Sequence, residues 1–293
     1  MLPTLVPGSA QETHTTMISF VAQSLSVALL FLTLSACQDS PATSADNFKL
    51  VISGSSTIAP LVAEIGKRFE SQHPGARVDV QTGGSSRGIA DIRNGLADIG
   101  MASRALSPSE QHLHGTLLAH DGIGIIVHQS NPLVSLDSED ITNIYTGKVR
   151  NWRDMGGLDA PITVITKAEG RATLELFLQY FNLTSPQINA HVVIGDNEQG
   201  IKTVAGNPQA IAYVSIGTAE YDVAQEVPIK LLSLGDIPAS LAEVQAGRFP
   251  LSRPLTLVTQ TTPVGKIKTF IDFATSENMH DLVKRHYFVP RQG

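Results

Sequence analysis

Three stretches of this chain place glycine and hydroxyl residues in front of an apolar run with helical spacing. They are Gly54-Ser55-Ser56-Thr57, Gly83-Gly84-Ser85-Ser86-Arg87-Gly88 and Glu169-Gly170-Arg171-Ala172-Thr173. A helix start carries unpaired backbone N–H groups and the positive end of the peptide dipole, which together suit an oxyanion. Glycine lets the backbone approach a ligand closely, and Ser or Thr adds a short hydroxyl donor. One such loop reads equally well as an ordinary N-cap. Three in one chain, two of them with an arginine, read as an anion receptor.

Composition narrows the alternatives. The net charge is −6 and no Arg/Lys block occurs, so the clustered positive charge that nucleic acid demands is absent from the sequence. His112, His114 and His120 invite a metal reading, but histidines two apart on a short helix would not share a face, and no Cys/His/Asp cluster accompanies them. Phosphoryl transfer would need a Walker-type Gly-Lys-Ser/Thr, which the chain lacks. Hydrolysis of a phosphoester ranks last, because no His–acid pair has an evident place beside Ser56 or Ser85.

The elements that must position these loops follow from periodicity. Strand-like runs at 48–53, 78–81, 97–102, 121–128, 162–166, 192–194, 211–215 and 255–259 alternate with helical patterns, an order that predicts an α/β fold with parallel sheets and helices on both faces. Ligands in such sheets sit outside the carboxyl ends of the strands, where all three loops fall. With 293 residues and 42% hydrophobic content, the chain is long and apolar enough for two lobes. Two loops come from the first third and one from the middle, so lobe 1 is expected over 48–128 plus 231–293 and lobe 2 over 129–230, with the cleft between them.

The amino-terminal segment reads as an address rather than as fold. Residues 25–34 are an apolar run followed by Ser35-Ala36-Cys37, and Cys37 is the only cysteine, which excludes an intrachain disulfide. The run resembles a lipoprotein signal peptide over 1–36, with Cys37 as the lipidated residue and 37–47 as a polar tether. There is no Lys or Arg before Lys49, so an uncleaved anchor over 18–36, a soluble secreted protein and a start at Met17 stay open. Each of these readings places the folded part outside the cytoplasm.

Taken in order, the motifs resemble the phosphate-binding proteins of bacterial ABC importers, which have the two-lobed type II periplasmic binding fold. The markers run from Gly54-Ser55-Ser56-Thr57-Ile58-Ala59-Pro60 and Gly84-Ser85-Ser86-Arg87-Gly88-Ile89 to Ala102-Ser103-Arg104 and Asp121-Gly122-Ile123-Gly124. They continue through Ile144-Tyr145-Thr146-Gly147, Trp152, the 169–173 loop, Ala210-Ile211-Ala212-Tyr213-Val214 and Phe249-Pro250-Leu251-Ser252-Arg253-Pro254. The resemblance implies that Ser56, Thr57 and the Ile58 N–H, Ser85 and Ser86, and Gly170, Arg171, Ala172 and Thr173 bind phosphate.

Two departures stand out from this pattern. Arg171 and Ala172 replace a Ser-Gly pair, and Lys167 stands where relatives often have arginine. Arg104 occupies a position where many relatives carry an aspartate that accepts the proton of hydrogen phosphate. Either Asp121 takes over that role or the site discriminates less, with Arg104 itself a candidate ligand residue. The resemblance further implies a monomer, not an enzyme and without cofactor or metal, that sits in the periplasm or at the cell surface on a lipid anchor. It would pass inorganic phosphate to an ABC permease in the inner membrane. A carrier of another tetrahedral oxyanion and a phosphate sensor without a transport role are the alternatives.

Overall fold

The computed structural model describes residues 47–291. The expected signal peptide, the Cys37 lipidation site and the tether up to residue 46 lie outside the described residues. Among the described residues no helix is long and apolar enough to cross a membrane.

The described chain opens with β1 (Phe48–Gly54), α1 (Ala59–Gln72), β2 (Ala76–Thr82), α2 (Ser85–Arg93), β3 (Ile99–Ala102) and β4 (His114–His128). It continues with β5 (Ser135–Leu136), α3 (Ser138–Tyr145), β6 (Thr163–Lys167), α4 (Ala172–Tyr180), β7 (Val192–Ile194), α5 (Asn197–Ala205), β8 (Ala210–Ser215), α6 (Ile216–Ala224), β9 (Ile229–Leu234) and α7 (Leu241–Gln245). It returns through β10 (Ser252–Thr259), α8 (Gly265–Ala274), α9 (His280–Arg285) and β11 (Val289–Pro290).

These strands make two sheets that share β4. The first half of β4 pairs with β10 and β11, and β10 pairs in turn with β3, which continues to β1 and β2. The second half pairs with β8 and β9, and β8 leads on to β6 and β7. The exchange of partners falls at Gly122 and Ile123, which face Ser252 of β10 and Ser215 of β8 respectively.

Each sheet carries its own core. Leu50, Ile52, Leu61, Ile65, Phe69, Leu257 and Phe270 fill the first. Ile123, Ile125, Val127, Tyr145, Trp152, Phe177 and Tyr213 fill one face of the second, while Ile126, Ile165, Ile201 and Val214 fill the other. Successive residues of β4 therefore feed opposite faces, as the two-residue period of a strand requires. The result is the two-lobed α/β architecture expected from the sequence.

Two details of the expectation need correction. The sheets are mixed rather than parallel: β10 runs antiparallel to β3 and β4, and β4 runs antiparallel to β8 and β9. β4 passes straight from one sheet to the other, so a chain returning from the second unit enters the first in the opposite sense. In addition, β4 starts at His114 rather than near 121, and His114 belongs to a strand and not to a helix. Its early residues, His114, Gly115 and Thr116, have no apolar alternation, and pairing with β10 supplies the order that local pattern lacks.

Candidate anion site

The starts of α1, α2 and α4 have Ile58, Gly84 and Arg171 at the N-cap, and none of the three has a side-chain cap. Four other helices, α3, α5, α6 and α7, are capped by Asp137, Asp196, Ser215 and Ser240. The helices α8 and α9 also lack a cap, but the α8 start at Val264 is solvent-exposed. The α1, α2 and α4 starts are instead packed around buried hydroxyls, Thr57, Ser85 and Thr173.

Backbone geometry brings the first two starts together. The Gly54 carbonyl accepts hydrogen bonds from the N–H groups of Gly83 and Gly84, both at 2.9 Å. Gly54 has φ +132°, and a Cβ there would stand 2.4 Å from the Met101 carbonyl oxygen, so only glycine fits. Gly84, with φ +100°, faces the α4 loop: a Cβ would lie 2.6 Å from the Gly170 carbonyl oxygen. That carbonyl accepts from the Ser86 N–H at 3.3 Å.

The hydroxyls are linked by two polar networks. In the first, Arg253 at the head of β10 is fully buried and donates from Nη2 to Asp121 Oδ2 at 2.8 Å and from Nε at 3.1 Å. Its Nη1 donates to Thr173 Oγ1 at 2.9 Å and to Ser103 Oγ at 3.4 Å. The Ser103 N–H donates to Ser85 Oγ at 3.1 Å. One arginine of the first lobe thus joins the Ser103 hydroxyl just after β3 to Thr173 at the start of α4, and the Ser103 N–H extends the link to Ser85 at the start of α2.

In the second network, Asn197 Nδ2 donates to Thr57 Oγ1 at 3.2 Å and Thr218 Oγ1 at 3.3 Å, and its Oδ1 accepts from Lys167 Nζ at 3.0 Å. Lys167 also donates to the Asp196 carbonyl at 2.7 Å. Burial pushes the Lys167 ammonium down to about 7, helped by the nearby positive charges of Arg253 and Arg171 and opposed by Asp196. Arg253 and Arg171 thus lie close enough to disfavour the charge on Lys167. A cavity of about 390 Å³, lined among others by Ser56, Thr57, Asp196, Asn197 and Thr218, opens onto the second network.

The expected residues occupy distinct places around these networks. Thr57, Ile58, Ser85, Ala172 and Thr173 are buried at the three helix starts, and Ser56 and Gly170 are half-buried beside them. Arg171 is half-buried; its Cδ lies beside Gly84 and its Nη2 beside Gly195, so it borders the contact between loops. Ser86 donates to Glu175 Oε1 at 2.6 Å. Arg104 is held by carboxylates: Nη1 and Nη2 donate to Glu110 at 2.7 and 3.0 Å, and Nε donates to Glu175 Oε2 at 2.6 Å. The Arg104 hydrogen bonds hold Glu110 down to about 2. Asp121 has both oxygens engaged, Oδ2 by Arg253 and Oδ1 by the Gly217 N–H at 3.2 Å.

Residue-type reasoning did not single out Arg253, Asn197 or Ser103. The signal for Arg253 was present: a cation inside the strand 252–259, otherwise largely apolar, has to meet a carboxylate or an anion. Asn197 had no such signal, because its partners lie on other elements. Contrary to the expectation that no Gly-x-Ser-x-Gly stands at a strand-to-helix turn, Gly84-Ser85-Ser86-Arg87-Gly88 has that spacing where β2 gives way to α2. Its central Ser86 donates to Glu175, and no histidine is among its described hydrogen bonds.

Residues 38–278 match the model of the PBP superfamily domain. The chain belongs to the PBP superfamily. Among curated relatives, the phosphate-binding protein PstS of Bacillus subtilis is 26% identical over 248 residues, covering 82% of this chain and 80% of that protein. A crystal structure described as a putative phosphate ABC transporter substrate-binding protein with bound phosphate, from Clostridium perfringens, superposes with TM-score 0.77 at 29% identity and covers 84% of this chain and all of its own. An ABC-type phosphate transport receptor from Vibrio cholerae follows at TM-score 0.69 and 30% identity, covering 82% of this chain and 99% of that one. The sequence resemblance and the two-lobed fold lead to the same family.

Proposed function

We propose that this protein is an extracytoplasmic solute-binding protein that captures inorganic phosphate between its lobes and delivers it to an ABC permease, without catalysing a reaction. One observation carries the reading: Arg253, fully buried, donates to the hydroxyl of Thr173 across the cleft while Ser103 links it to Ser85. Relatives with the same architecture are named for phosphate. The ligand set comprises Ser56, Thr57, the Ile58 N–H, Ser85, Ser86, Gly170, Arg171, Ala172 and Thr173, supplemented by Arg253 and Lys167. Arg104 serves the site through the two glutamates it holds.

The change of partners along β4 supports a lobe 1 built from the start of the described chain and its return through β10, and a lobe 2 between them. Binding would favour the closed arrangement, because the anion contacts residues of both lobes. The Cys37 lipid anchor, the monomeric state and a location in the periplasm or at the cell surface belong to the same proposal.

Calorimetric titration of the chain with phosphate, sulfate, molybdate and a phosphonate tests the function. Tight binding of phosphate supports it. A response to molybdate or sulfate alone would assign the protein to another oxyanion, and turnover of a phosphoester would revive catalysis. For the anchor, Cys37→Ser should release the protein from the membrane fraction, and its retention there would favour an uncleaved apolar segment.

A further inference from the structure

Asn197, the first residue of α5, is buried with its whole amide engaged. Nδ2 donates to Thr57 Oγ1 at 3.2 Å and to Thr218 Oγ1 at 3.3 Å. Oδ1 accepts from Lys167 Nζ at 3.0 Å and from the Ser215 N–H at 3.4 Å. Lys167 ends β6, Ser215 ends β8 and Thr218 lies in α6, so three of the four partners belong to the same sheet and its helices. Thr57 alone comes from the other sheet, after β1.

Chemistry settles which way this amide points. An ammonium only donates, so Lys167 requires Oδ1 on its side, and Nδ2 must then face the two threonines. The opposite orientation would turn an acceptor toward Thr57 and draw in its hydroxyl proton. A threonine hydroxyl has one proton to give, and Oγ1 already accepts from α5, so that proton points away from α5.

The carboxylates beside Thr57 make this constraint matter. Asp196 and Glu198 line the cavity of about 390 Å³ next to Thr57, where either would accept a hydroxyl proton and repel an anion. Asp196 Oδ1 is engaged by the Gln199 N–H at 2.8 Å, and among the described hydrogen bonds neither carboxylate is joined to Thr57. Both stand on the α5 side, from which the Thr57 proton is turned. The charged groups facing Lys167 are Arg253 from β10, Arg171 from the α4 start and Asp196 from the α5 start. Tyr213, whose hydroxyl accepts from the Lys167 backbone N–H at 3.2 Å, stays neutral because burial pushes it up to about 12.

Resting on phosphate as the ligand, we propose that Asn197 is a positioning residue: held by Lys167, it fixes Thr57 Oγ1 as an acceptor and reserves the Thr57 proton for the anion. The relay runs from Lys167 to Asn197 to Thr57 to the ligand, each group donating to the next, and it keeps Asp196 and Glu198 from taking that proton.

Calorimetry with inorganic phosphate on the wild-type chain, Asn197→Ala, Thr57→Ala and the double variant tests the relay. Asn197→Ala should bind about tenfold more weakly. The double variant should bind no more weakly than Thr57→Ala, because both substitutions act through one hydroxyl. Asn197→Asp keeps the shape and an acceptor for Lys167 but cannot donate to Thr57, so it decides the matter even if Asn197→Ala fails to fold. It should also lose about tenfold or more and, by favouring the ammonium, move the decline of affinity with rising pH to higher values. Losses that multiply in the double variant, wild-type affinity in any of the single variants, or an Asn197→Asp pH profile like that of wild type overturn the role while leaving phosphate capture standing. A wild type that does not bind phosphate defeats the reading beneath it.

Discussion

Arg253 and Asp121 are register partners on β10 and β4, with Nη2 2.8 Å from Oδ2 and neither side chain exposed to solvent. They lie at the point where β4 changes from one sheet to the other, and the arginine's remaining Nη1 reaches Thr173 of the opposite lobe. A buried pair of this kind offsets part of its own desolvation cost, and its geometry leaves one donor for a partner across the cleft. The pair both secures the crossover and aims positive charge at the site.

Replacing Asp121 by Asn should therefore leave Arg253 charged and underpaired. The expected destabilisation is about 3–5 kcal/mol in urea unfolding without anion. Phosphate should restore stability more in this variant than in wild type, because the anion would neutralise the buried, uncompensated guanidinium charge. An unchanged urea midpoint would show that the pair contributes little.

Thr57 marks the α1 start and meets Asn197 across the cleft at 3.2 Å. Thr57→Ala removes one hydroxyl donor to a charged ligand, a loss of about 1.5–3 kcal/mol, or roughly ten- to a hundredfold in affinity. Titration calorimetry with phosphate reads it directly. Wild-type affinity in the variant would remove Thr57 from the ligand set.

Lys167 makes the protein's response to pH specific. Its folded value near 7 lies below the ordinary 10.5, so between these limits the unfolded chain holds a proton that the folded one has lost. Stability without anion should accordingly rise with pH across that window. Anion binding should act in the opposite sense, since negative charge favours the ammonium: affinity falls as pH climbs above about 7, and binding takes up a proton. Calorimetry in buffers of different ionisation heat, compared with Lys167→Met, isolates this contribution. Identical pH profiles for the two proteins would exclude it.

Gly84 allows the second loop to touch the third. Its φ of +100° and ψ of 161° belong to a region that only glycine occupies comfortably. An added methyl would also meet the Gly170 carbonyl oxygen at 2.6 Å. Gly84→Ala should cost about 1–3 kcal/mol in backbone strain and, by holding the loops apart, speed phosphate release. Stopped-flow dissociation measures the second effect, and an unaltered off-rate would show that this contact does not control closure.

The amino-acid sequence determined the local devices: glycine-hydroxyl turns in front of apolar helical runs, the strand–helix alternation and the glycines that allow close backbone approach. These depend on neighbours within a few residues, where propensity and periodicity act. It also contained Arg253 and Lys167 as cations in or ending apolar strands, although not their partners. The tertiary structure alone decided that β4 serves both sheets, that β10 runs antiparallel, and that Arg104 meets Glu110 and Glu175. Asn197 reaches Thr57 across 140 positions, and Arg253 reaches Asp121 across 132. Contacts of that separation arise only when packed sheets bring distant segments together, because each side chain's chemistry is compatible with many partners and only the fold selects one.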